Sequence, residues 1–155
     1  MPKPDRAEPS VEAALAAYVK LLRASKAVVA RIEPLLATHG LTPTQLGVLE
    51  GILHLGPMTQ RELSRKVLTS AGNMTDVIDK LERRGLVQRT RSAADRRAIH
   101  VALTDEGLAL ISRLFPAHAA DIARAMSGLD AGELAQLGEL LRKLGRAAAE
   151  PADEA

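Results

Sequence analysis

The residues that could do chemistry are concentrated in one stretch, TSAGNMTDVIDKLERRG, from Thr69 to Gly85. Small and hydrogen-bonding residues stand at the start of a predicted helix there: Ser70, Gly72, Asn73, Thr75, Asp76 and Lys80. An Asn amide pairs with adenine and a carboxylate accepts from the amino group of cytosine. Hydroxyl and ammonium groups bond phosphate oxygens. Bulky residues would hold a partner away from the backbone, so the small ones suit close approach to a duplex.

The same stretch is also compatible with an ordinary surface helix. Its apolar residues Met74, Val77, Ile78 and Leu81 follow the i, i+3, i+4, i+7 spacing of a single buried stripe. The opposite face would then be solvated. Two i, i+4 ion pairs would support it, Asp76 with Lys80 and Asp79 with Arg83.

Carboxylates on this face are repelled by a phosphate backbone. We therefore expect Asp79 to act structurally, holding Arg83 or a neighbouring backbone donor. For Asp76, both base recognition and a structural role stay open. Neighbouring elements decide which use of the helix face is favoured.

The elements around this stretch have readable start and stop signals. A capping residue followed three positions later by Gln or Glu predicts three helix starts, at Thr42, Thr59 and Asp130. Thr104, followed by two acids, is a looser version. The predicted helices are 11–38, 43–55, 60–68, 70–83, 105–127 and 131–148. Pro34 and Pro116 should kink the first and fifth, or begin a new turn.

Two short β-type segments break the helical pattern. They are LVQRTR, residues 86–91, and AIHVAL, residues 98–103, joined by the small and basic residues SAADRR. A short helix, a turn, a second helix and then a hairpin with arginine at its tip is the order of a winged helix-turn-helix. A merely soluble hairpin tip is the alternative for SAADRR.

The segment GNMTDVIDKLERRGLVQRTRSAADRRAIHVALTDEG resembles the recognition helix and wing of the multiple antibiotic resistance regulator (MarR) family of bacterial transcription factors. The resemblance rests on Leu-Glu before Gly85-Leu86-Val87 and on the wing pattern from Asp95 to Leu103-Thr104. It is sharpest over residues 41–107. It implies a mainly α-helical winged helix-turn-helix with N- and C-terminal dimerisation helices: four helices, a β-hairpin wing and two further helices.

The resemblance also implies residue roles. Arg97 matches the wing arginine that enters a minor groove, and Asp95 matches the carboxylate that orients it. The physical logic agrees, because narrow grooves have an enhanced negative potential. We expect Arg91 and Arg96 to assist on the wing. Side chains of the preceding helix are expected at the DNA backbone: Thr59, Gln60, Arg61 and Arg65.

Charge and composition narrow the function classes. Of the formal net charge of +2 over 155 residues, residues 59–100 carry ten Lys or Arg against five Asp or Glu. Cysteine is absent, which excludes thiolate chemistry. The four histidines, His39, His54, His100 and His118, lack ligand spacing, and no catalytic motif occurs. We therefore expect no enzyme, no cofactor and no metal.

The start, MPKPDRAEPS, is not a signal-peptide pattern, and no apolar run approaches the length of a membrane span. A cytoplasmic protein is expected. The expected organisation is a tail and dimerisation helix (1–40), a DNA-binding domain (41–104), two dimerisation helices (105–148) and a disordered tail (149–155).

The leading hypothesis is a homodimeric regulator of transcription that binds double-stranded DNA at a near-palindromic operator. A repressor released by a small aromatic or phenolic effector is the form the family favours. His54 and Arg31 could face an effector crevice, although each fits a surface position better. With one Tyr, one Phe and no Trp, a pocket would be aliphatic. The alternative is a winged-helix module that binds protein; the basic segment argues against it.

Overall fold

The computed structural model describes residues 8–67 and 71–149 of the chain. Its elements follow in chain order: α1 (Val11–Thr38), α2 (Pro43–Leu55), β1 (Met58–Thr59), α3 (Gln60–Val67), α4 (Ala71–Arg83), β2 (Val87–Arg91), β3 (Ile99–Leu103), α5 (Asp105–Ala125) and α6 (Ala131–Ala149). The mainly α-helical winged-helix fold is thus confirmed. Ser70 and most of the expected tail lie outside the described residues, while Ala149 ends α6.

Reciprocal capping fixes the helix starts, as the sequence predicts. Before α2, the hydroxyl of Thr42 accepts from the Gln45 backbone and the Gln45 side chain accepts from the Thr42 backbone. Thr59 and Glu62 exchange the same two bonds before α3. Asp130 and Glu133 do so before α6. Each box satisfies two backbone donors that a helix start leaves without partners.

The two prolines lie inside continuous helices. Pro34 is within α1 and Pro116 within α5, and neither begins a separate element. Gly40 follows α1 with φ +65, a left-handed conformation that favours glycine, and the chain turns there into α2. The end of α1 and the start of α2 are therefore placed as the sequence predicts.

The wing is part of a three-stranded antiparallel sheet in the order β1-β3-β2. The register pairs Val87 with Leu103 and Arg91 with Ile99, so the two predicted β segments form the hairpin. The short strand β1 was not predicted. It pairs Met58 with Val101 on the other side of β3, which joins the wing to the start of α3.

One core lies under the helix-turn-helix and the base of the wing. The predicted stripe of α4 is buried: Met74, Ile78 and Leu81 have no exposed surface, and Val77 is 7% exposed. It packs in one cluster with Leu63 of α3 and apolar residues of α2, β2, β3 and α5. The core therefore anchors α4 from behind and leaves its other face to solvent.

The ends of the chain contribute little to this core. Leu36 is the one fully buried residue of α1, and α6 has none. Large apolar side chains are exposed along both helices: Val11, Leu15, Tyr18, Val19, Leu21, Leu22, Leu140, Leu141 and Leu144. Two helices with uncovered apolar stripes require another surface to bury them.

Candidate nucleic-acid interface

The exposed face of α4 carries the residues that the sequence singles out. Gly72, Asn73, Thr75, Asp76 and Lys80 are all solvent-exposed on the side away from the core. A Cβ added at Gly72 would meet no atom of the described residues within 4 Å. Internal packing therefore does not require glycine at this position. The open space lies at the N-terminal end of the helix, where the sequence predicts close approach of a partner.

A hydrogen bond connects this face to the preceding helix. The side-chain amide of Gln60, at the start of α3, donates to the hydroxyl of Thr75. The structure thus brings together one residue expected at the DNA backbone and one expected near the bases. The bond lies on the exposed side of α3 and α4, opposite their shared core.

The two acids of α4 have different partners. Asp76 pairs with Lys80 at 2.8 Å, as the i, i+4 spacing predicts, and both side chains are 55% exposed. Exposed pairs of this kind contribute little to stability, so Lys80 is readily available to a phosphate. Asp79 has a structural role, as expected, but the predicted partner was wrong. Its carboxylate binds Arg89 of β2, whereas Arg83 donates to its backbone oxygen.

Arg89 connects the wing to the recognition helix. Its guanidinium lies 2.6 Å from Asp79 and 3.0 Å from Glu82, on successive turns of α4. Burial disfavours the charged form of Arg89, but hydrogen bonds and charge attraction from the two carboxylates outweigh it, so its pKa is raised. Arg89 was not among the residues predicted for the site. The sequence feature that could have indicated Arg89 is a basic residue on a strand that must pack beside the acidic face of α4.

The tip of the wing is held by short local hydrogen bonds. The Ser92 hydroxyl accepts from the backbones of Ala94 and Asp95, and Arg91 donates to the Arg96 carbonyl at 3.1 Å. Asp95 accepts from the backbone N–H of Arg97 at 3.0 Å. The carboxylate of Asp95, which the family resemblance implies should orient the Arg97 side chain, thus binds the backbone of Arg97 instead. Arg97 keeps its side chain exposed.

Several cations around α4 are exposed. Arg61 and Arg65 lie on α3, and Arg96 and Arg97 lie on the wing. Across residues 8–67 and 71–149, none of these four forms an ion pair with a side chain of the chain itself. Thr59 and Gln60 are partly buried at the start of α3. The elements that adjoin α4, namely α3 and the wing, therefore both present exposed guanidinium groups.

The remaining candidates do not assemble a second site. His54 is exposed at the end of α2 and packs edge-on against Phe115 of α5, with ring centroids 5.0 Å apart. Arg31 is exposed on α1. Among the described residues, no group of His, Asp or Glu side chains is arranged to hold a metal ion. Nor does the described part contain a helix long and apolar enough to span a bilayer.

A helix-turn-helix with an arginine-tipped wing defines the class, a winged helix-turn-helix regulator of transcription. Residues 41–99 match the MarR family. The uncharacterized HTH-type transcriptional regulator YkoM of Bacillus subtilis (strain 168) is 39% identical over 138 residues, which are 89% of this chain and 90% of that protein. The chain belongs to the MarR family of DNA-binding transcriptional regulators. Homologues of this kind are regulators, which confirms the expectation that the chain is not an enzyme.

Solved structures agree with the fold. The Streptomyces coelicolor regulator Sco3205, in complex with DNA, is similar with a TM-score of 0.81 at 20% identity, over 97% of each chain. Bordetella bronchiseptica BpsR, whose DNA binding is regulated by 6-hydroxynicotinic acid, has a TM-score of 0.75 at 27% identity. That match covers 84% of this chain and 98% of BpsR.

Proposed function

We propose that the chain is a cytoplasmic, homodimeric repressor that reads a near-palindromic operator through α4 and the wing. The observation that carries the proposal is the set of exposed cations without internal ion pairs on α3 and the wing. These elements adjoin α4 in the fold, and Gly72 leaves open space near the start of that helix. Such a surface suits a helix inserted N-terminal end first into a major groove, with Arg97 in the adjacent minor groove.

Each group has a role in this proposal. Asn73, Thr75 and Asp76 face base edges, with Ser70 and Gly72 at the closest approach to the backbone. Lys80 and the α3 residues hold phosphates: Thr59, Gln60, Arg61 and Arg65. Asp95 holds the wing backbone so that Arg97 projects from the tip, and Arg91 and Arg96 contact the flanking phosphates. Phosphate contacts would set the register and base contacts the sequence.

Dimerisation follows from the uncovered helices. Residues 1–40 and 105–148 would form the dimer, and residues 41–104 the DNA-reading part. The exposed apolar stripes of α1 and α6 would be buried against the second copy. A two-fold dimer places two copies of α4 on successive turns of one DNA face, so the half-sites would lie about 10 base pairs apart, centre to centre.

Release by a small molecule is the finer part of the proposal. Support comes from BpsR, whose DNA binding is regulated by 6-hydroxynicotinic acid. The contact of His54 with Phe115 places a polar ring and an aromatic ring together between α2 and α5. An aromatic acid is the effector class to screen, by adding candidates to the preformed DNA complex and measuring dissociation.

The test of DNA binding is a salt series with the duplex upstream of the gene that encodes this chain. The association constant should fall with a log-log slope of roughly −5 if Lys80, Arg61 and Arg65 of both subunits reach phosphates, and roughly −9 if Arg91 and Arg96 do as well. An unrelated duplex of equal length is the control. A flat slope, or equal affinity for both duplexes at every salt concentration, would contradict the proposal and favour a protein-binding module.

A further inference from the structure

Arg84, directly after α4, contacts the end of α1, far away in the sequence. Its exposed guanidinium donates to the Gly40 carbonyl at 2.7 Å and to the His39 carbonyl at 2.9 Å. Neither acceptor belongs to the recognition helix or to the wing. The arginine therefore joins the end of the DNA-reading helix to the end of an N-terminal helix with an uncovered apolar stripe.

The two acceptors lie in the turn after α1, where His39 is the C-cap residue and Gly40 follows it. The chain leaves α1 through bonds from His39 to Leu36 and from Gly40 to Ala37, and Gly40 has φ +65. A guanidinium there satisfies two acceptors at once and complements the negative end of the helix dipole. Arg84 thus caps α1 from a different element.

The turn after α4, which contains Arg84, is also joined to the start of α5. The Gly85 carbonyl accepts from the hydroxyl of Thr104 at 2.5 Å, and the Leu86 carbonyl accepts from the Thr104 backbone at 3.1 Å. Thr104 is the capping residue of α5. The three residues after the recognition helix therefore hold both helices that lead out of the DNA-reading part of the chain.

We infer that Arg84 is a positioning residue that sets the direction of α4 relative to α1, and so the half-site spacing that the dimer accepts. This inference rests on the proposed function. Two parallel donors of one planar group fix an orientation as well as a distance. Because the clamp is exposed, its energetic contribution to folding is small, and its main effect is geometric.

The length of α4 makes a small change in its direction large enough to measure at its N-terminal end. With 13 residues, α4 is about 20 Å long. A tilt of roughly 10° about its C-terminal end would move its N-terminal end by about 3.4 Å, the rise of one base pair. Loss of the clamp should therefore reduce the penalty for half-sites one base pair closer or farther apart, although a turn of one half-site by about 34° around the duplex axis still opposes them.

The experiment uses the full-length protein and an operator that the parent selects from a random duplex pool. Affinities are measured for that operator, for versions with one base pair added or removed between the half-sites, and for a single half-site. For Arg84→Ala, the preference for the native spacing should fall by a factor on the order of 10. The affinity for the single half-site should stay within about twofold of the parent. Arg84→Lys, which donates to one carbonyl at a time, should lie between.

Arg83→Ala is the matched control, because it removes the same charge one residue earlier and its hydrogen bond stays within α4. Its spacing preference should equal that of the parent. The inference is overturned if Arg84→Ala and Arg84→Lys keep the parental preference, or if they weaken full and half sites equally. It is overturned too if the parent binds all spacings alike. If the parent protein selects no DNA sequence from the pool, the proposed function itself is contradicted. A thermal melt of the parent shows that the protein is folded, so that misfolding is not the cause.

Discussion

Arg97 occupies the exposed tip of the wing, where its backbone N–H donates to the Asp95 carboxylate, which fixes the turn without taking up the guanidinium. Its charge is therefore available to a minor groove, in which the potential is most negative. Arg97→Ala should weaken operator binding by about 1 to 3 kcal/mol. The measurement is a titration of labelled operator at fixed salt.

Arg113→Ala is the control for charge alone, because Arg113 is exposed on α5 and belongs to neither the wing nor α3 or α4. It should change operator affinity by far less than Arg97→Ala. Equal losses for the two variants would show that only net charge matters at the wing, which would contradict insertion of Arg97.

A substitution at Gly72, near the start of α4, should change DNA binding without changing the stability of the fold. An added Cβ meets no atom of the described chain within 4 Å, and the position is exposed, so a longer side chain can extend into solvent. Gly72→Leu should thus leave the free energy of unfolding within about 1 kcal/mol of the parent. Operator affinity should fall at least tenfold, since the leucine would occupy the space of the duplex. Urea denaturation and DNA titration together check this; unchanged affinity would remove the start of α4 from the interface.

The residues of the interface differ in how far the sequence could predict them. The buried stripe of α4 and the pair of Asp76 with Lys80 follow from helical spacing, which is local. The partner of Asp79 was predicted wrongly, because Arg89 is on a strand whose position depends on the packing of the wing. The clamp of Arg84 on α1 spans more than forty residues, and no periodicity indicates it.

At the scale of elements, α5 meets the turn after α4 at a contact that only glycine permits. A Cβ at Gly107 would lie 1.9 Å from the carbonyl oxygen of Leu86, so α5 would have to move. Gly107→Ala should lower the free energy of unfolding by about 1 to 3 kcal/mol. Gly72→Ala, at a helical glycine with open space around it, should be neutral or stabilising by up to about 1 kcal/mol.

Chemical denaturation of both glycine variants checks this pair. If Gly107→Ala is as stable as Gly72→Ala, the close contact between Gly107 and Leu86 does not exclude a side chain. A stable Gly107→Ala protein would mean that the start of α5 can shift without cost, and then the turn after α4 could not hold the helices in a fixed arrangement.

Elements with local start signals were predicted well, and those with non-local causes were not. Thr42, Thr59 and Asp130 each begin a helix through a side chain three residues away, so the sequence alone contains the whole signal. Strand β1 has only two residues and exists because Met58 meets Val101 of β3. A strand of that length has no pattern that could be recognised in advance.

At the scale of the whole molecule, α6 has no fully buried residue in the single chain. If a second copy covers it, a charge there should prevent dimerisation. Leu140→Asp should give a monomer by sedimentation and should lose most operator affinity, since the two half-sites then bind independently. Leu55→Asp is the control: the two leucines are 55% and 58% exposed, so the cost to the single-chain fold should be similar. A dimeric Leu140→Asp protein would exclude α6 from the interface.

The proposed function depends on two copies of α4 that bind one duplex together. Selection from a random pool of double-stranded DNA shows whether they do. The parent protein should enrich an inverted repeat whose half-sites are about 10 base pairs apart, centre to centre. Enrichment of a single unrepeated site, or no enrichment above the starting pool, would contradict the claim.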